Sequence, residues 1–150
     1  MKSLELRRHA ERDPDEDRLS SAGRVHAEDV GRTLERGYAA VFVSPARRAA
    51  ETVAWMLRGA GEPLPAHDVV PGLAGREPGD PSAEGMAATV RRLLDLVPDG
   101  GRALAVGHTP LIERAAEGLA GRAVEPLAPC EGILVRSDGE ELTIEELRLS

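Results

Sequence analysis

Hydrophobic and polar positions along the chain fall into short runs that switch between strand and helix rhythms. Residues 3–8 read as a first strand that runs straight into the pair Arg8-His9. Glu5 and Arg7 are polar at alternate positions, so they share one face of that strand, where they would pair with each other or reach a pocket wall. Ala10 to Arg18 is polar, carries Asp13-Pro14, and reads as a loop. Ser20 offers a helix N-cap. Ala22, Val25, Ala27, Val30 and Leu34 then give a broken helical stripe, which Gly37 stops. Residues 39–43 are an apolar run of the buried-strand kind. Ser44-Pro45 follows as a cap residue with Pro at the first helical position. That helix is predicted to run through Trp55 and Leu57 to Gly59-Ala60-Gly61.

His67 to Val70 reads as a short strand. Pro71 to Pro81 is rich in Gly and Pro and predicts a loop, long for a compact domain and of the kind that lies over sites. Residues 83–97 predict a helix with Met86, Val90, Leu93, Leu94 and Val97 inward. Asp99-Gly100-Gly101 is a turn, and residues 103–107 are a second buried strand. Thr109-Pro110 repeats the signal of a cap followed by Pro and opens a helix ending between Gly118 and Gly121. Ile133 to Arg136 and Leu142 to Leu147 read as two strands around the turn 137–140.

Short buried strands alternating with helices predict an α/β fold, a three-layer sandwich. A mostly parallel central sheet carries helices on both faces, and the C-terminal hairpin adds an antiparallel edge. Without an internal repeat or a linker, residues 1–150 are expected to form a single domain.

Composition narrows the function. Aromatic residues make up only 2% of the chain, which leaves no platform for stacking bases. The net charge of -7 also argues against nucleic acid, since phosphate backbones attract basic surfaces. A small anion can still be held where arginines gather. Cys130 is the only cysteine, so no intramolecular disulfide forms, and a buried thiol in a reducing compartment is expected. No leader and no membrane-spanning run is seen, so the expected location is the cytoplasm, with no membrane partner.

In parallel α/β sheets, ligands bind beyond the C-terminal ends of the strands. Arg8-His9, Arg47-Arg48 and His108 all lie just beyond such ends. Helix N-termini suit an anion, and arginine forks match phosphate oxygens. Two histidines add a nucleophile and a proton carrier. The set suggests phosphoryl transfer through a phosphohistidine. No His-x-x-x-His or paired-cysteine spacing points to a metal, and no cofactor is expected. His26 and His67 read as solvated or structural.

These residues resemble the motifs of the histidine phosphatase (phosphoglycerate mutase-like) superfamily. Arg8-His9-Ala10 is similar to its Arg-His-Gly motif, with Ala10 in place of the commoner Gly. Leu19-Ser20-Ser21-Ala22-Gly23 resembles Leu-Thr/Ser-x-x-Gly. The run from Ser44-Pro45 to Thr52 resembles Ser-Pro-x-x-Arg-Ala-x-x-Thr, which selects Arg48 over Arg47. Gly107-His108-Thr109-Pro110-Leu111 resembles the second-histidine motif as it stands in short phosphohistidine phosphatases of the SixA type. The resemblance implies that His9 attacks phosphorus and that Arg8, Arg48 and His108 hold the phosphoryl oxygens, with Thr109 at the substrate.

A leaving group normally needs a proton from an acid. Glu11, Glu77, Asp80 and Glu84 are the candidate donors, and the sequence places none of them. The resemblance to short phosphohistidine phosphatases implies that no dedicated acid is needed, because the P–N bond of phosphohistidine is already labile. The expected partner is therefore a phosphorylated protein, with a small phosphorylated metabolite as the alternative. A phosphomonoesterase acting on small molecules and a non-catalytic phospho-ligand binder both remain open.

Overall fold

The computed structural model describes residues 1–149. Its elements run β1 (Lys2–Arg8), α1 (Ser21–Gly31), β2 (Ala40–Val43), α2 (Arg47–Gly59), β3 (Asp68–Val69), a 3-10 turn (Pro71–Ala74), α3 (Ala83–Leu96), β4 (Arg102–Gly107), α4 (Leu111–Ala120), β5 (Gly132–Ser137) and β6 (Leu142–Leu147). The strands form one sheet in the order β3-β2-β4-β1-β5-β6. β3, β2, β4 and β1 are mutually parallel, while β5 runs antiparallel to β1 and pairs with β6 as the expected hairpin. No described helix is long and apolar enough to cross a membrane.

Alternation along the strands sorts the core. Leu4 and Leu6 face the same side as Phe42, Ala103, Ala105, Ile133 and Val135, and α3 and α4 cover that side with Met86, Val90, Leu93, Ile112 and Ala115. Val41, Val43, Leu104 and Val106 face the other side and pack on Ala49, Val53 and Leu57 of α2. α1 packs on α2 through Ala27, Val30 and Met56. The backbones of this pair touch at glycines. A Cβ on Gly31 would stand 1.9 Å from the Met56 carbonyl oxygen, and one on Gly59 would stand 1.9 Å from that of Glu28. Gly59, which the sequence offers as a helix end, thus also lets the two helices approach, as does Gly31.

Glu5 and Arg7 are on the α2 side and pair with each other, one of the two outcomes expected. Arg7 Nε donates to Glu5 Oε2 at 2.5 Å, and its other nitrogen donates to the Cys130 carbonyl at 2.8 Å. Tyr38 and Arg102 donate to Glu5 Oε1 at 2.8 and 3.1 Å. A buried carboxylate with two cations and a phenol is satisfied; without them it would not be tolerated.

Four local expectations differ from the structure. α1 ends at Gly31 rather than near Gly37, because Thr33 and Leu34 turn back onto Val30 and Gly31. Val25 is 64% exposed. Gly23, Ala27 and Val30 form the buried line of α1, and position 25 falls on the opposite face from 27. The stretch 71–81 is not wholly loop, since Pro71–Ala74 makes a 3-10 turn closed by Gly75 at φ +69. Finally, neither Ser-Pro nor Thr-Pro caps its helix. α2 starts after Ala46 and α4 after Pro110, and neither has a side-chain cap from its N-cap residue.

Candidate active site

Parallel pairing in the order β2-β4-β1 brings three C-terminal strand ends side by side. Strand-like hydrogen bonds extend past the strands, from His9 N to Gly107 O and from Ser44 N to Val106 O, both 3.1 Å. His9, Ser44 and His108 thereby leave the sheet at one edge. Arg48 reaches the same place from the first turn of α2.

His9 is 7% exposed. Its Nδ1 lies 2.7 Å from the Ala10 carbonyl oxygen, which can only accept, so Nδ1 carries the proton and Nε2 the lone pair. Arg48 Nε donates to that Nε2 at 3.3 Å. The His9 and His108 rings stand edge to face, 5.3 Å between centroids. Arg48 also faces His108 Nδ1 at 3.5 Å, while His108 Nε2 is 2.7 Å from Ser44 Oγ. A guanidinium only donates, so Nε2 of His108 holds the proton and donates to Ser44. Arg8 donates to the Leu127 carbonyl at 2.7 Å, and its Nε is buried without a partner.

Burial and the neighbouring arginines push both histidines down to about 4. For His9 burial is the largest cause, the bond to Ala10 opposes it, and Arg48, Arg8 and Arg12 add to the lowering. Both rings are therefore neutral near neutral pH, as a nucleophile requires. The unfolded chain would bind these protons near pH 6.5, but the folded chain resists until about pH 4. The unfolded state thus gains protons first, and stability falls as pH falls through that window. The urea midpoint is expected to drop between pH 7 and 5, and to drop less in His108→Gln.

Two further residues escaped the sequence reading. Asp17 accepts from Arg47 N and Arg48 N at 2.9 and 3.2 Å and from the Arg48 guanidinium at 2.9 Å. It caps α2 from a distant loop and aims Arg48. Burial pushes its carboxyl up, yet the donated bonds and the Arg48 charge outweigh this and hold it below the usual range. Ser44, expected to be a cap, instead orients His108 and accepts from Ala46 N at 3.2 Å. No local pattern distinguished Asp17 from Glu11, Asp13, Asp15 or Glu16.

The candidate acids do not gather here. Glu11 is exposed, accepts from Ser20, and borders a separate hollow with His26 and Glu131. Asp80 is bound by Ser82 at the start of α3. Glu77 and Glu84 are exposed and line no part of the pocket beside Arg48. The Thr109 hydroxyl donates to Glu113, whose carboxylate also accepts from Leu127 N at 3.3 Å, so that hydroxyl is committed away from a ligand. The pocket measures about 390 Å3 and is lined by Asp17, Pro45, Ala46, Arg48, Ala74, Arg76, His108 and Leu111. A larger cleft of about 590 Å3, between the end of α3 and the β5–β6 hairpin, contains none of these groups. Among the described residues no group of three or more His, Cys, Asp or Glu is arranged to hold a metal. Cys130 is buried, and burial pushes its thiol up to about 12.

No protein-family model and no curated protein matches the sequence. Solved structures do match the fold. The protein histidine phosphatase SixA bound to tungstate superposes with a TM-score of 0.77 at 21% identity, covering 97% of this chain and 96% of that one. Phosphoglycerate mutase from Bacillus anthracis gives 0.79 at 14%, covering 96% and 91%. A mycobacterial glucosyl-3-phosphoglycerate phosphatase with VO3 gives 0.75 at 16%, covering 100% of both chains. The chain therefore has the fold of the histidine phosphatases and phosphoglycerate mutases.

Proposed function

We propose that this chain is a metal-independent histidine phosphatase that works through a phosphohistidine on His9. The observation that carries the reading is the unprotonated Nε2 of a buried His9, faced by Arg48 and set beside His108 at three adjoining strand ends. In the first step Nε2 attacks phosphorus, an N–P bond forms, and the bond to the leaving group breaks with its electron pair. Arg48 exchanges its contact with Nε2 for phosphoryl oxygens, and Arg8 offers its unpartnered Nε–H. His108 donates to another oxygen once its Nε2–H turns from Ser44. In the second step water attacks the phosphorus, an O–P bond forms, the N–P bond breaks with its electron pair returning to His9 Nε2, and the proton lost by the water leaves with the phosphate.

We take phosphohistidine in a protein as the favoured substrate. Asp17 is the only acid that lines the pocket among the described residues, and its low pKa and bond to Arg48 make it a poor proton donor. A leaving imidazole needs less protonation than an alkoxide. The solved structures that share this fold include a protein histidine phosphatase and a glucosyl-3-phosphoglycerate phosphatase, so small-molecule ester hydrolysis is the second reading.

The test is to incubate the protein with radiolabelled phosphodonor and EDTA and quench it rapidly. Label that is lost in acid, retained in alkali and located on His9 supports the reading and excludes a non-catalytic binder. Turnover without any label on His9 would sink it.

A further inference from the structure

The hydrogen bond that holds the Arg8 guanidinium comes from a distant loop. Arg8 Nη1 donates to the Leu127 carbonyl at 2.7 Å, while Nε is left without a partner. That carbonyl belongs to the trans peptide group joining Leu127 to Ala128. The N–H of the same group, on Ala128, donates to Glu131 Oε1 at 2.8 Å. A trans peptide group is planar, with its N–H and C=O pointing in opposite directions. A carboxylate that fixes one end therefore aims the other, and its charge polarises the carbonyl towards Arg8.

Glu131 is 6% exposed and is itself gripped from the C-terminal segment. Arg148 Nη1 donates to its Oε1 at 3.1 Å, and Leu149 N donates to its Oε2 at 2.9 Å. Burial pushes the carboxyl up, but the bonds from Leu149 N, Ala128 N and Arg148 outweigh this and hold it below the usual range. The Glu131 carbonyl accepts from Arg8 N at 2.8 Å, so its backbone and its side chain hold Arg8 at both ends. Glu131 borders the hollow with Glu11 and His26 and no part of the pocket beside Arg48. It acts through Arg8 rather than on a substrate.

We infer that Glu131 is a positioning residue for the phosphate clamp, holding the Arg8 guanidinium in line with the phosphoryl group through the peptide between Leu127 and Ala128. The inference rests on the phosphatase reading. It brings into the construction of the site a residue that belongs to none of the sequence motifs.

Binding of orthovanadate, a mimic of the phosphoryl group in transfer, tests this without turnover. Glu131→Met removes the acceptor for Ala128 N and should weaken vanadate binding in calorimetry by about tenfold, short of the roughly hundredfold that a misplacement of about 1 Å can cost. Glu131→Gln keeps an oxygen for Ala128 N and should bind vanadate as wild type does, although it loses the charge paired with Arg148. Arg148→Met leaves the bond from Ala128 N in place, and should lower the urea midpoint without lowering affinity. In an Arg8→Met background no guanidinium is left to aim, so Glu131→Met should cost no further affinity.

A merely structural Glu131 gives a different result: affinity would follow the urea midpoint across all three variants, which would overturn the inference. So would a folded Glu131→Met that binds vanadate like wild type, or a loss that persists in the Arg8→Met background. If Glu131→Met does not fold, Glu131→Asp takes its place, because its shorter carboxylate keeps the charge without reaching Ala128 N, and the same outcomes decide. Wild type that binds no vanadate would overturn the function proposed above as well.

Discussion

Hydrolysis of p-nitrophenyl phosphate in the presence of EDTA is expected to fall by at least about 1000-fold in His9→Ala, the scale seen when a covalent nucleophile is removed. The reasoning is geometric. Nε2 of His9 carries the lone pair and faces Arg48 Nε at 3.3 Å, because Nδ1 is tied to Ala10 O. His108 also faces Arg48, through Nδ1 at 3.5 Å, while its Nε2 is engaged with Ser44, so the loss in His9→Ala measures which of the two rings attacks. The variant should still fold. Ala10 N keeps its bond to Thr52 Oγ1, and the strand bond from residue 9 to Gly107 is made by backbone. Exogenous imidazole should enter the vacated space and restore part of the rate, which a merely structural histidine would not allow. Activity near wild type in a folded His9→Ala protein would remove His9 as the nucleophile.

The second large effect concerns stability. Arg7→Ala is expected to destabilise the fold by about 3–5 kcal/mol in urea unfolding, because it strands a buried carboxylate. Glu5 is 1% exposed and Arg7 is 6% exposed. Arg102 remains beside Glu5, but it is more exposed and shares its charge with Glu35. The Cys130 carbonyl also loses its donor, and Cys130 is held at φ +69, where a side chain is strained. Replacing both charges, as in Glu5→Leu with Arg7→Met, should recover most of the loss. It should not recover all of it, since burial and Glu5 shape the surroundings of Tyr38, whose hydroxyl would lose its acceptor. A cost for Arg7→Ala below about 1 kcal/mol would show that the pair is dispensable.

Much of the scaffold was legible because it depends on nearest neighbours along the chain. Leu4 and Leu6, or Val41 and Val43, declare their faces by alternation. The strand ends at Arg8, Val43 and Gly107 are marked by an abrupt change to polar residues. The gathering of His9, Arg48 and His108 followed once those strands were taken as parallel. What stayed hidden depends on distance in sequence. Ser44 and Thr109 carry the composition of helix caps, yet tertiary partners claim both hydroxyls: His108 for the first and Glu113 for the second. The N-terminus of α2 is capped by Asp17, which is 30 residues from Arg47, so no local rule could select it. For the proton donor, Glu11, Glu77 and Asp80 could not be separated in sequence, and none of the three lines the pocket.

The position of β1 has a consequence for the order of events during synthesis. It is made first among the strands, yet its two sheet partners are β4, at residues 102–107, and β5, at residues 132–137. On a ribosome the native partners of the segment that bears His9 emerge only after residue 101 has been made. Such pairings across long separations close slowly. The helix pair α1 and α2 can meet earlier, since only a few tens of residues separate them. The two sides of the pocket thus differ in how far along the chain their partners lie: Arg48 sits on a helix whose neighbour α1 is close in sequence, whereas His9 follows a strand whose partners are about 100 residues or more away.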